Sequence, residues 1–170
     1  MKKDNLIILS IIILLIILLI IIIGGVDDKE EVLEEENNNN TPNMEEIVDL
    51  EYNEIYITVN NNILIVVLDE NKTTQALINE LKKRDITITA KEYGGFEKVG
   101  DLGFTLPTND KEINGRPGDL LLYQGNKLSL FYGNNKYSYT KIGTVLDAEK
   151  DDLVRILGTG VVTITLSLEG

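Results

Sequence analysis

The sequence predicts a mainly β fold, a small closed barrel of about eight strands with two short helices. One N-terminal transmembrane helix and an acidic linker precede it. Three observations lead there. Short strand-like runs separated by Asn and Gly turns fill the C-terminal two-thirds of the chain. Helical patterning occurs there only twice, without a strand–helix–strand rhythm. The extremes of hydropathy and charge are confined to the first 54 residues. Closing the sheet on itself leaves no exposed edge for other chains to pair with.

Leu6–Ile23 is an 18-residue run of Leu and Ile interrupted only by Ser10. As a helix it would span roughly 27 Å, close to the hydrocarbon thickness of a bilayer. No polar stripe exists to face water, so a buried core helix does not fit. The competing reading is a cleaved signal peptide, but such segments carry a shorter apolar core and an A-x-A-like site. Here the run ends in Ile21-Ile22-Ile23-Gly24-Gly25, and residues 1–26 are read as an uncleaved anchor. Lys2 and Lys3 precede the run while Asp27, Asp28, Glu30 and Glu31 follow it. That asymmetry places the N-terminus in the cytoplasm and the remainder outside a single-pass cell-membrane protein.

Residues 27–54 hold 12 acids and one base, Lys29, together with Asn37–Asn40 and Thr41-Pro42. A like-charged, apolar-poor segment repels itself and buries too little surface to offset ordering entropy, so it reads as a disordered spacer. Most of the net charge of −12 therefore belongs to the linker, and residues 55–170 carry only −2.

Within that domain Ile55–Val59 alternates, Asn60–Asn62 turns, and Ile63–Leu68 returns as a hairpin. Thr73–Arg84 reads as a helix capped by Thr73 or Thr74, with Ala76, Leu77 and Leu81 on one face. Ile86–Lys91 is the next strand, and Gly100–Pro117 reads as loop. Asp119–Gln124 and Lys127–Tyr132 form a second hairpin about Gly125-Asn126. Gly133–Asn135 turns into a strand over Lys136–Thr140. A second helix starts at Asp147 as cap, packs through Leu153–Leu157 and stops at Gly158. The last strand turns Val162, Ile164, Leu166 and Leu168 to one side.

The chain has no Cys, His or Trp. That excludes thiolate chemistry, disulfides, imidazole bases and the serine–histidine triad. The acidic balance excludes a nucleic-acid partner, whose phosphates need a basic face. Asp110-Lys-Glu-Ile-Asn-Gly115 imitates the opening of a calcium loop, but its twelfth position is Leu121 and Pro117 intrudes, so it reads as an ordinary turn-rich loop. Asp101 and Asp119 follow Gly at turn or strand starts, where Asp bonds nearby amides rather than serving as an acid–base pair. Asn71-Lys-Thr73 and Asn39-Asn-Thr41 are glycosylation-type triplets. No metal or cofactor is expected.

Lys98–Asn109, Pro117–Tyr123, Leu128–Tyr132, Tyr137–Gly143 and Gly158–Ile164 together resemble, in order, the bacterial and archaeal cyclophilin-like domain family. The resemblance covers Ile55–Leu168 and implies an eight-stranded cyclophilin-type barrel with two helices. Cyclophilins proper isomerise prolyl peptide bonds through an arginine in a Phe-His-Arg strand motif. That motif is absent here, and Arg84, Arg116 and Arg155 occupy a helix end, a loop and a helix. No catalytic residue carries over.

The remaining signal is aromatic. Tyr123, Phe131, Tyr132, Tyr137 and Tyr139 crowd into one stretch of two hairpins, and Tyr123, Phe131, Tyr132 and Tyr139 are the candidate ligand-binding residues. Alternation sends Phe131 and Tyr132 to opposite faces, one lining the core and the other facing out. Barrel packing with cross-strand pairs is the plainer account of the same residues. The expected role is a membrane-tethered binding or scaffolding module for a peptide, protein or small ligand. Isomerisation at a non-standard site is the alternative.

Overall fold

The computed structural model describes residues 51–170, so the apolar run 6–23 and residues 27–50 of the acidic segment lie outside the described residues. The described chain runs β1 (Glu54–Val59), β2 (Asn62–Leu68), α1 (Lys72–Leu81), β3 (Ile86–Tyr93), β4 (Glu97–Asp101) and β5 (Lys111–Gly115). It continues through β6 (Asp119–Tyr123), β7 (Lys127–Phe131), β8 (Asn135–Val145), α2 (Lys150–Leu157) and β9 (Val161–Ser167). None of the described helices is long and apolar enough to cross a membrane.

Turn chemistry sets the hairpins. Asn60 and Asn61 both take positive φ (47° and 61°), which Asn tolerates and a two-residue hairpin requires. That turn fixes the register Val59↔Asn62, and with it the inward side chains Ile55, Ile57 and Val59. Between β6 and β7 three residues intervene, with Gln124 and Gly125 at positive φ, so the turn starts one residue earlier than Gly125-Asn126. The strands then form an antiparallel ring in the order β2–β1–β9–β3–β4–β7–β6–β8. It closes where Val66, Val67 and Leu68 pair with Val145, Thr144 and Gly143.

The eight-stranded ring agrees with the expected barrel. Its interior packs Ile57, Val66, Ile88, Leu120, Leu122, Leu130, Ile142 and Ile164 in one core. Leu77, Ile78 and Leu81 of α1 and Leu153 and Leu157 of α2 join it, so each helix is held by burying its apolar face rather than by propensity.

Several expectations are corrected. Gly100–Pro117 is not a plain loop: it begins on β4 and contains the ninth strand, β5, which pairs with the first half of β8 from Lys111↔Tyr139 to Gly115↔Asn135. β5 (KEING) has a single large apolar residue, so neither period 2 nor apolar content marks it. The calcium-loop mimic is therefore largely this strand. The cap of α1 is Asn71, whose Oδ1 accepts from the Thr73 and Thr74 amides at 2.9 and 3.0 Å. Thr74 Oγ1 accepts in return from the Asn71 amide, completing a capping box. Asn71 Nδ2 donates to the Lys141 carbonyl at 3.0 Å, so a glycan on that nitrogen would compete with a tertiary bond. α2 begins from Glu149 with no side-chain cap, and Asp147 instead holds a left-handed turn (φ 52°).

β4 was hidden because its inward residue is charged. Lys98 is fully buried, donating to the Gly160 carbonyl at 2.8 Å and facing Glu92 at 3.7 Å. A buried ammonium persists only with such partners.

Candidate functional site

The strands that bury Leu122, Leu128 and Leu130 inside the barrel turn Leu121, Tyr123 and Phe131 to its outer face. Tyr139 of β8 joins them, and Glu97 of β4 sits directly opposite Phe131 in the ladder. Two elements wall this face. One is β5, whose Ile113 packs on the cluster. The other is the β3–β4 turn Tyr93-Gly94-Gly95-Phe96, in which both glycines take positive φ (61° and 72°). A side chain at Gly94 would collide with the Phe96 ring, so glycine lets that ring fold back over the turn.

The result is a continuous run of aromatic pairs, edge-on except for the tilted Phe96–Phe131 pair. Tyr93 meets Phe96 at 5.9 Å between centroids, Phe96 meets Phe131 at 5.7 Å, and Phe131 meets Tyr139 at 5.6 Å. Tyr139 lies 6.1 Å from Tyr123 and 6.0 Å from Tyr137, which are 5.8 Å from each other. Such offsets are favourable for aromatic quadrupoles. Between the rings opens a groove of about 650 Å³ lined by Tyr93, Phe96, Glu97, Tyr123, Tyr137 and Tyr139, with Gly94 and Asn135. Tyr93 and Tyr137 stand exposed at its rim. Asn135 Nδ2 donates to Tyr139 Oη at 3.0 Å and orients that phenol, whose ionisation is pushed up chiefly by burial.

Glu97 is the chemically unusual member. It is only 5 % exposed, and its Oε2 closes no hydrogen bond. Burial raises its carboxyl above the ordinary glutamate range, with neighbouring Ser129 opposing the shift although Ser129 Oγ itself closes no hydrogen bond. A raised folded-state value means that this group contributes stability fully below the unfolded carboxylate range and loses it as pH rises through the shifted value. Replacing the carboxyl by an uncharged amide removes that loss. Glu97→Gln is therefore expected to be neutral near pH 4 and stabilising by about 1 kcal/mol at pH 7, of the order of one buried unsatisfied group. Urea titrations of both proteins at the two pH values check this; an equal effect at both would show that ionisation is not the cause.

Of the sequence-predicted residues, the structure brings Tyr123, Phe131 and Tyr139 together and leaves Tyr132 apart. Tyr132 points into the barrel core, its hydroxyl without a hydrogen-bond partner. The expectation that one of Phe131 and Tyr132 faces solvent is corrected: both are buried, Phe131 because Phe96 and β5 cover the outer face. The residues that sequence reasoning missed are Tyr93, Phe96 and Glu97. Their signal was the glycine pair between two aromatics, which specifies a tight turn presenting both rings.

The aspartates have local roles, as their positions implied. Asp101 accepts from the Gly103 amide and pairs with Lys127. Asp119 accepts from the Arg116 amide at 2.9 Å and faces Lys141.

Comparison with known proteins agrees with this fold. The chain is similar to a solution structure of a hypothetical protein from Archaeoglobus fulgidus, with a TM-score of 0.53 and 16% identity, covering 73% of this chain and 98% of that one. At that identity the likeness concerns the fold alone. No curated protein matches. The model of the cyclophilin-like family matches residues 57–167, from the middle of β1 to the end of β9. The chain belongs to the cyclophilin-like family.

Proposed function

We propose that this protein is a membrane-tethered, extracytoplasmic binding module whose ligand site is the aromatic groove on the outside of the barrel. The observation that carries the reading is the open space of about 650 Å³ among five aromatic side chains and one buried carboxyl. Small-ligand sites are concave, mostly apolar and punctuated by few polar groups, and this groove has that composition. The tether rests on the 18-residue apolar run and the Lys2–Lys3 flank, with the acidic segment as spacer.

The groove is lined by no arginine and no histidine, which supports binding over isomerisation. Arg155 is paired with Asp152 on α2 instead.

In the full-length chain, apolar and aromatic fragments at millimolar concentration should shift the ring resonances of Tyr93, Tyr123 and Tyr137. A proline-containing tetrapeptide should isomerise at the uncatalysed rate. Shifts confined to loops remote from the groove would sink the binding reading, and catalysis lost on changing groove residues would favour the isomerase. The tether is checked separately: intact protein should stay with washed membranes and lose its domain to external protease.

A further inference from the structure

We propose that the groove selects an organic cation, an ammonium head carried on a small molecule or on a side chain, held between the tyrosine rings and the Glu97 carboxyl. The inference rests on reading the groove as a ligand site and assigns its occupant's charge. Three observations carry it.

First, five aromatic rings line the groove and most of their pairs are edge-on, so the rings are turned in several directions, with Tyr93 and Tyr137 at the rim and Phe96, Tyr123 and Tyr139 deeper. The ring quadrupole is negative at its face, so an ammonium near the centroids is attracted, more strongly once desolvated. Second, Glu97 lines the groove at 5 % exposure with Oε2 unpartnered. A buried carboxyl without a partner is costly, and a bound cation would supply one. Third, the described residues that line the groove supply that carboxyl with no counter-charge. None of the lining residues is basic. Lys98, its chain neighbour, points into the barrel and is engaged by the Gly160 carbonyl and Glu92.

The other clefts carry less. The one lined by Asp69, Glu70, Asn109, Lys111 and Lys141 mixes both signs of charge. The one beside Tyr52 and Lys82 is lined mostly by polar residues, and its lysine is already paired with Glu51.

A cation in the groove favours the ionised carboxyl, so affinity should rise with pH as Glu97 loses its proton. Of the other titratable groups, Tyr139 on the groove side and Tyr132 on the core side feel the Glu97 charge, and Tyr93, Tyr123 and Tyr137 line the groove with it. The phenols of Tyr132 and Tyr139 have their ionisation pushed up, chiefly by burial, further from the carboxylate range.

The test uses the full-length chain in a maltoside detergent, since choline lipids would compete. Choline, n-butylammonium and 3,3-dimethylbutan-1-ol, the neutral isostere of choline, are titrated by calorimetry and followed at the tyrosine resonances. The expected result is that at least one cation binds about tenfold more tightly than the neutral alcohol. Glu97→Gln should cut that preference several-fold, to what the rings alone supply, and a preference that the substitution does not lower overturns the carboxyl's part in the proposal. Whichever cation binds better tells a quaternary head from a lysine-type amine, and either sustains the proposal. Equal binding of choline and the alcohol overturns the cation assignment and leaves the groove an apolar site. Absence of binding by all three overturns both readings.

Discussion

Gly143→Ala is expected to destabilise the domain by about 3 kcal/mol or more, the upper end for overpacking a site that cannot yield. Gly143 lies on β8 where the ring closes, between Leu120 of β6 and Leu68 of β2. A Cβ placed there would stand 2.3 Å from the Val67 carbonyl oxygen, 2.9 Å from Val66 Cγ1 and 3.1 Å from Leu68 Cα. Two of these are backbone atoms in the ladder that seals the barrel, so the obstruction cannot be relieved by turning a side chain. The chain would have to part β2 from β8.

Denaturant unfolding of full-length wild-type and variant proteins measures the loss, and hydrogen exchange locates it at Val66–Leu68 and Gly143–Val145. Gly95→Ala is the control. It has positive φ and nothing within 4 Å, so it carries backbone strain without a clash and should cost only about 1 kcal/mol. A Gly143→Ala loss no larger than the control's would mean that the seam is loose and that closure contributes little.

That seam shows where sequence reasoning reaches and where it stops. β1, β2 and β9 were legible because burial on one face writes a period of two, and β6 and β7, buried on both faces, because they are short apolar-rich runs between turn residues. So were both helices, although α1 ends at Leu81 rather than Arg84 and the caps differ, Asn71 displacing the threonines and Glu149 displacing Asp147. β4 and β5 were not legible. β4 turns a buried lysine inward, and β5 borrows its stability from pairing with β8 and from packing on Phe131. Neither circumstance leaves an apolar pattern in the local sequence.

The site followed the same rule. Tyr123, Phe131 and Tyr139 were legible as candidates because they crowd together along the chain. Tyr93, Phe96 and Glu97 come from a turn some thirty residues earlier that the antiparallel β4–β7 pairing brings alongside. Tyr132 was included by proximity in sequence and excluded by the pleat, which sends neighbours to opposite sides.

Phe131→Ala is the other large effect expected, a loss of about 3–5 kcal/mol from removing a buried aromatic. The ring is fully buried and touches both neighbours in the aromatic run, Phe96 and Tyr139. It also supports β5: a Cβ built at Gly115 would lie 2.5 Å from Phe131 Cε1, so the backbone of β5 rests directly on the ring. Removing the ring should therefore do more than lower global stability. Amides of Lys111–Gly115 should exchange faster, and fragments that shift Tyr123 and Tyr137 should lose affinity as that wall loosens.

A second substitution separates this contact from a general loss of core. Gly115→Ala alone forces its methyl against the Phe131 ring and should cost about 1–3 kcal/mol. In the Phe131→Ala background the same methyl enters the vacated space, so the double variant should be markedly more stable than the two separate losses require. A coupling energy within about 0.5 kcal/mol of zero would mean that β5 does not rest on Phe131. The groove would then owe its wall to pairing with β8 alone.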